Sequence, residues 1–238
     1  MKLFQAEKQK PNMTENRSTD RSGAQLSCSA RRNGACLPSD RGALAVIGSR
    51  KASAYGTRVC ERLVRDLAAK GYCIVSGMAR GIDSVAHWAC IENNGRTLGV
   101  LGTGLDIAYP KQNLALFERI PLQGALISEF LPGTPARPEN FPRRNRMISG
   151  LSRGVLVVEA SERSGTMITV RMALEQGREV FAVPGDIRSL LSRGTHRLIK
   201  NGAKLVEGVD DILEEFGEIV AGNQFPGLVT GDTGNRGT

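Results

Sequence analysis

From residue 43 onward, short apolar runs alternate with segments whose apolar residues recur every three or four positions. The runs are "ALAVIG", "YCIVSG", "TLGVLGT", "ALISEF", "GVLVVEA", "EVFAVPG" and "AKLVEG". They are rich in Val, Ile and Leu, and several end at Gly or Ser. Unbroken apolar runs of this length suit strands that are buried on both faces. The segments between them have helical spacing. In "RVCERLVRDLAAKG", Val59, Leu63, Val64 and Leu67 share one face and Gly71 stops the helix. "SGTMITVRMALEQG" repeats the pattern, with Gly177 as its stop. Such alternation predicts an α/β fold, a doubly wound, mostly parallel sheet in one domain over residues 43–217. Residues 1–42 are polar and lack periodicity, so they are predicted to be a disordered tail. Residues 218–238 are Gly- and Thr-rich and predicted to be a flexible C-terminal tail.

In a sheet of this kind, ligands bind beyond the carboxyl ends of the strands, near the point where strand order reverses. The residues that follow each run therefore carry the chemistry. They are "GSRKAS", "SGMARGID", "GTGLDIAYP", "SEFLPGTPARPENFPRRN", "ASERSGT" and "PGDIRS". Ser164, Gly165 and Thr166 open a helix, either as a phosphate cradle or with Ser164 as a plain N-cap. Arg50 directly follows the first run, placed to reach phosphate oxygens in the crevice or to pair with an acid on the surface. Arg80 stands as a second candidate, with Asp83 three residues on as its alternative partner.

The stretch "FPRRNRMISGLSRG" holds Arg143, Arg144, Arg146 and Arg153 with no acid between them. Pro142 sits where a helix would start, which puts Arg143, Arg144 and Asn145 in the first turn. Cations there oppose the helix dipole. Local stability does not explain them, and a bound anion does. Arg143 and Arg144 are the expected phosphate contacts. Arg153, just before a strand, is expected to be structural. One or two of the four are expected to pair with carboxylates such as Glu129, Glu139 or Glu159.

Charge and composition change this picture little. The net charge is +8, but residues 1–42, with eight Lys/Arg against four Asp/Glu, hold half of it. Local clustering is therefore the stronger argument for a polyanionic partner. Five cysteines without a CxxC pair, together with two histidines, give no metal spacing, and reduced thiols are expected. No apolar run reaches the ~18 residues of a membrane helix, and the N-terminus has no secretory h-region. A cytoplasmic protein with no membrane contact and no cofactor is expected. GxGxxG and GxxxxGK[ST] are both absent. His87 and His196 fall in helical segments and suggest packing rather than catalysis.

The ordered set "AVIGSRKASAYG", "IVSGMARGIDSVAH", "GRTLGVLGTGLDIAYPKQN", "LISEFLPGTPARPENFPRRNRMISGLSRGVLVVEASERSGTMIT", "ALEQGREVFAVPGDI" and "SRGTHRLIKNGAKLV" resembles the DNA-processing protein A (DprA/Smf) family from about Leu44 to Phe216. The resemblance implies an extended Rossmann-like domain that binds single-stranded DNA without sequence preference and is not an enzyme. It further implies a homodimer that protects incoming strands in natural transformation and helps load a RecA-type recombinase. Carried over by motif, the DNA site comprises Gly48, Ser49 and Arg50 with Phe141, Arg143, Arg144, Asn145 and Arg146. Members often carry a basic residue just before "FP", and here Arg137 is the nearest. Many members also have a helical domain before this part and a winged-helix-like domain after it, and neither is expected here. Met78 stands where Leu is usual. The alternative function is a nucleotide-binding or nucleoside-monophosphate phosphoribohydrolase-like enzyme. Those enzymes use a "PGGxGT" loop with a glutamate just beyond it. Here "ERSGT" is followed by Met167 and Ile168, with no carboxylate until Glu175.

Overall fold

A computed structural model describes residues 30–218. Its centre is an eight-stranded sheet of order β1-β5-β4-β3-β2-β6-β7-β8. The strands are β1 (Arg31–Gly34), β2 (Leu44–Ile47), β3 (Ile74–Ser76), β4 (Thr97–Val100), β5 (Ala125–Ser128), β6 (Gly154–Val157), β7 (Glu179–Ala182) and β8 (Lys204–Leu205). The helices are α1 (Ala54–Ala69), α2 (Ile82–Glu92), α3 (Leu114–Gln123), α4 (Asn140–Gly150), α5 (Thr166–Glu175), α6 (Arg193–Lys200) and α7 (Val209–Glu215). All pairings are parallel except β1 with β5. The expected doubly wound α/β architecture is therefore present, with an antiparallel strand at one edge.

Strand order reverses at β2, which pairs with β3 on one side and β6 on the other. Each of these strands is buried because both faces are covered. Leu44 and Val46 of β2 join Leu63, Val64 and Leu67 of α1 and Ile82 of α2. Ala45 and Ile47, pointing the opposite way, join Met147 and Ile148 of α4 and Val170 and Ala173 of α5. The period-2 geometry of a strand splits one apolar run between two cores. A smaller cluster of Met78, Leu101, Leu116, Ile120 and Leu126 lies under α3.

The domain begins earlier than the hydrophobic pattern indicates. Residues 31–42, expected to be disordered, supply β1 and a 3-10 turn, Pro38–Gly42. What fixes them is backbone pairing and one ion pair, neither of which leaves an apolar signature. β1 runs against β5 from Arg31↔Ser128 to Gly34↔Ala125. Gly34 has φ +102°, and a Cβ there would overlap the Gly124 carbonyl. Arg96 then locks the turn. It pairs with Asp40 at 2.8 Å and donates to the Ala35 carbonyl at 2.8 Å. At the other end Glu218, placed by sequence in the tail, accepts from Tyr72 at 2.6 Å and from Arg153 at 2.9 Å. The remainder of both expected tails, 1–29 and 219–238, lies outside the described residues. Among the described residues no helix is long and apolar enough to cross a membrane.

Candidate nucleic-acid interface

The loops that leave β2, β3, β4 and β5 converge with the first turn of α4. The Gly48–Arg50 segment rests on the start of α2, where the Ile82 amide donates to the Ser49 carbonyl at 3.1 Å. This close approach requires Gly81, whose φ is +76° and whose Cβ would overlap the Ser49 carbonyl. The loop after β3 is held from three sides. Asn113 donates to the Met78 carbonyl at 2.8 Å, and Ser84 donates to the Ala79 carbonyl at 2.6 Å. The Asp83 carboxyl accepts from the Ala79 amide at 3.3 Å.

Arg144 supplies the third side. It is only 4% exposed. Its guanidinium donates to the Gly77 carbonyl and, at 2.7 Å, to the Val100 carbonyl, and its Nε donates to Asn145 Oδ1 at 3.1 Å. Burial pulls Arg144 down to about 10, opposed by Asp83 and assisted by the like charge of Arg50. The same burial raises Asp83 despite the facing guanidinium. Arg144 thus ties the ends of β3 and β4 together beneath the surface. Of the two neighbouring arginines expected at phosphate, Arg143 is the exposed one, while Nη1 and Nε of Arg144 are engaged within the fold. The reason is helix register. α4 starts at Asn140, two residues before Pro142, so the arginines fall in the second turn and Arg144 turns inward with Met147 and Ile148.

Phe141 is the centre of the exposed part. Its half-buried ring lies against Gly102, where a Cβ would come within 3.0 Å of it. The Tyr109 ring sits 5.7 Å away at 38°, and the guanidinium carbons of Arg50 and Arg144 both lie 5.8 Å from the Phe141 centroid. Arg143 is exposed and stands 5.3 Å over Phe130. Arg50, Arg80 and Arg137 are also exposed. Among the described residues, none of these four has a carboxylate within ion-pair distance. Arg80 leaves Asp83 to the buried Arg144, so the local pairing weighed for it is not made.

The remaining arginines of the stretch are engaged in the fold. Arg146 pairs with Glu129 at 2.9 Å. Arg153 packs 4.1 Å over Phe216 and pairs with Glu218 at 2.9 Å, in keeping with its expected structural role. Among the described residues Glu159 pairs with no arginine. Its carboxylate accepts from the Ser53 amide at 3.0 Å and the Ser53 hydroxyl at 2.5 Å, and Ser53 in turn caps α1 through the Gly56 amide.

Of the helix-opening loop, Thr166 joins the site by donating to the Gly48 carbonyl at 3.2 Å. Gly165, not Ser164, holds the N-cap position of α5. The Ser164 hydroxyl is buried and has no partner among the described residues. Gly165 is exposed, with open space where a side chain would stand. Tyr109 and the loop anchors Asn113 and Asn140 were missed by sequence reading. Asn140 donates to the Gly102 carbonyl at 3.0 Å and so seats the floor under Phe141. An aromatic before proline at the end of a Gly-rich loop, "GTGLDIAYP", was the available signal for Tyr109.

His87 is fully buried on α2, its Nδ1 2.7 Å from the Thr97 hydroxyl, a hydrogen-bonding role as expected. Cys60, Cys73 and Cys90 are buried free thiols, each pushed up by burial.

Comparison with known proteins narrows this arrangement to one family. Residues 31–217 match the family described as DNA recombination-mediator protein A. Protein Smf of Escherichia coli is 53% identical over 174 residues, 73% of this chain and 46% of that protein. DNA processing protein DprA of Streptococcus pneumoniae is 48% identical over 173 residues, 73% of this chain and 61% of that protein. The chain therefore spans about half to three fifths of the curated relatives it matches. The X-ray structure of the Streptococcus pneumoniae protein superposes with a TM-score of 0.74 at 45% identity, covering 78% of this chain and 65% of that one. DNA processing protein A of Helicobacter pylori, whose structure describes a single-stranded DNA binding mode, superposes with a TM-score of 0.76 at 25% identity, covering 86% of this chain and 94% of that one. A molybdenum cofactor binding protein of Rippkaea orientalis, at 17% identity and a TM-score of 0.53 over 74% of this chain and 95% of that one, shares the fold alone. The chain belongs to the DNA recombination-mediator protein A family.

Proposed function

We propose that this domain binds single-stranded DNA non-enzymatically, with the phosphates along Arg50, Arg80, Arg137 and Arg143 and a base on the Phe141–Tyr109 pair. One observation carries the reading: four exposed arginines, with no carboxylate partner among the described residues, stand on the loops and helix start at the carboxyl ends of a parallel sheet, and one of them, Arg50, lies 5.8 Å from the Phe141 ring that Tyr109 flanks. Phosphates take guanidinium donors in forked geometry. Aromatic faces accept any base, at ~1–3 kcal/mol each, so binding is sequence-tolerant. Gly48, Ser49 and the Ser164–Thr166 loop supply further backbone and hydroxyl donors beside the same crevice. The Helicobacter pylori relative's single-strand binding mode supports the assignment.

The test is fluorescence anisotropy with a labelled oligonucleotide against Arg50→Ala, Arg143→Ala and Phe141→Ala. Each should weaken binding about tenfold, since one charge-assisted contact or one stacked base is worth ~1.4 kcal/mol or more. Unchanged affinity in all three would sink the reading. The hydrolase alternative lacks an acid after Thr166, and release of free base from nucleoside monophosphates would revive it. Protection of incoming strands, loading of a RecA-type recombinase, homodimer formation and a cytoplasmic location complete the proposal on the strength of the family. Sedimentation and co-precipitation with a recombinase test the dimer and the partner.

A further inference from the structure

The loop that carries Arg50 runs from Gly48 to Ser53, between β2 and α1, and its two ends are held differently. The first end is held through its backbone. Thr166 donates to the Gly48 carbonyl at 3.2 Å, and the Ile82 amide donates to the Ser49 carbonyl at 3.1 Å. Beyond Arg50, the Lys51 amide donates to the Ser49 hydroxyl at 3.1 Å, a contact inside the loop. The second end is Ser53. There the loop is gripped by Glu159, which stands at the carboxyl end of β6, 106 residues away along the chain.

Glu159 is 3% exposed. One carboxylate oxygen accepts from the Ser53 amide at 3.0 Å and the other from the Ser53 hydroxyl at 2.5 Å. That hydroxyl accepts in turn from the Gly56 amide at 3.0 Å. The carboxylate fits only because position 56 has no side chain, since a Cβ there would overlap it. Glu159 therefore lies against the first turn of α1, where free amides and the helix dipole favour a negative charge. A carboxylate paired with Arg50 would compete with phosphate for the guanidinium. Ser53 and the helix start keep Glu159 from that pairing, so Arg50 stays exposed, with no carboxylate at ion-pair distance among the described residues. Three residues of chain span at most about 11 Å, so fixing Ser53 limits where Arg50 can reach.

We propose that Glu159 is a positioning residue for strand binding: it fixes Ser53, and Ser53 fixes the reach of Arg50. The proposal rests on the single-strand reading above and adds to it a residue that does not itself touch DNA.

A double-mutant cycle in oligonucleotide anisotropy tests it. Glu159→Gln keeps the shape, but a carboxamide has one acceptor oxygen where the carboxylate has two. It should weaken binding about fivefold, the worth of one hydrogen bond. In an Arg50→Ala background it should change nothing, because the loop has no guanidinium left to place. In an Arg143→Ala background the fivefold loss should return in full. Ser53→Ala, which removes the hydroxyl and keeps the amide contact, should give the same pattern and serves if Glu159→Gln does not fold. Amide hydrogen exchange over residues 49–56 of the DNA-free chain is the readout independent of binding, and both variants should raise it. A loss that persists in the Arg50→Ala background would make Glu159 a general support of the fold and overturn the proposal. Wild-type affinity in both variants would overturn it too. Wild-type affinity in Arg50→Ala alone would instead show that the strand reading of this loop is wrong, and the proposal would fall with it.

Discussion

Two neighbouring arginines on α4 have opposite fates, and the difference is measurable. Arg143 is exposed and Arg144 is buried against Asp83 and two carbonyls. Arg144→Met leaves the buried Gly77 and Val100 carbonyls without their donor and removes the charge facing Asp83, and it should cost about 3 kcal/mol in urea unfolding, as buried groups left unpaired do. Adding Asp83→Asn should recover part of that loss. Arg143→Ala should shift stability by no more than about 0.5 kcal/mol, as surface changes do, while weakening DNA binding. His87 adds a pH signature. Burial and the nearby Arg144 charge lower it from 6.5 to about 3, so the folded chain holds it neutral. The unfolded chain protonates it below pH 6.5. Its contribution is therefore fully present above that pH and is lost as pH falls toward 3, at up to about 1.4 kcal/mol per unit. Asp83, raised by burial, acts with the opposite sign. Between pH 6.5 and 4, His87→Gln should lose stability less steeply than the wild type in parallel urea titrations, and equal slopes would contradict the assignment.

At the scale of elements, the site depends on how loops lean on helix starts. Gly81→Ala forces a side chain onto a backbone at φ +76° and into the Ser49 carbonyl. Strain of this kind is worth ~1–3 kcal/mol. The Gly48–Arg50 loop would shift to relieve it. DNA affinity should fall about tenfold with the circular dichroism spectrum unchanged, and retained affinity would remove that loop from the site. The strands and the glycine stops of α1 and α5 were legible in the sequence because burial on both faces writes a continuous apolar run. β1 was not, because Arg31–Gly34 contributes backbone hydrogen bonds and leaves its polar side chains half-exposed. The cluster of arginines was legible as a cluster. Which of them turns inward was not. Each residue rotates a helix by about 100°, and in a run as polar as "NFPRRNR" the phase is set by where the helix starts rather than by any apolar stripe. Tyr109 and Asn140 escaped for a related reason: their roles arise only when the β4 and β5 loops meet over Gly102.

For the whole molecule, the question is whether net charge or local placement draws the strand in. Residues 1–29 hold five Lys/Arg and three Asp/Glu, a small share of the +8. If binding rests on the four exposed arginines, about four phosphates are neutralised. For single strands the slope of log K against log salt is about −0.7 per phosphate, which gives about −3 here. Arg50→Ala with Arg143→Ala should bring the slope to about −1.5. Removing residues 1–29 should leave it unchanged, since that segment holds none of the four arginines. A slope near −6 in the intact chain would mean that phosphates are held elsewhere as well, and a slope that drops when the N-terminal residues are removed would assign part of the interface to them. Anisotropy titrations at four or five salt concentrations separate these cases, because each arginine in direct contact with phosphate contributes its own increment to the slope.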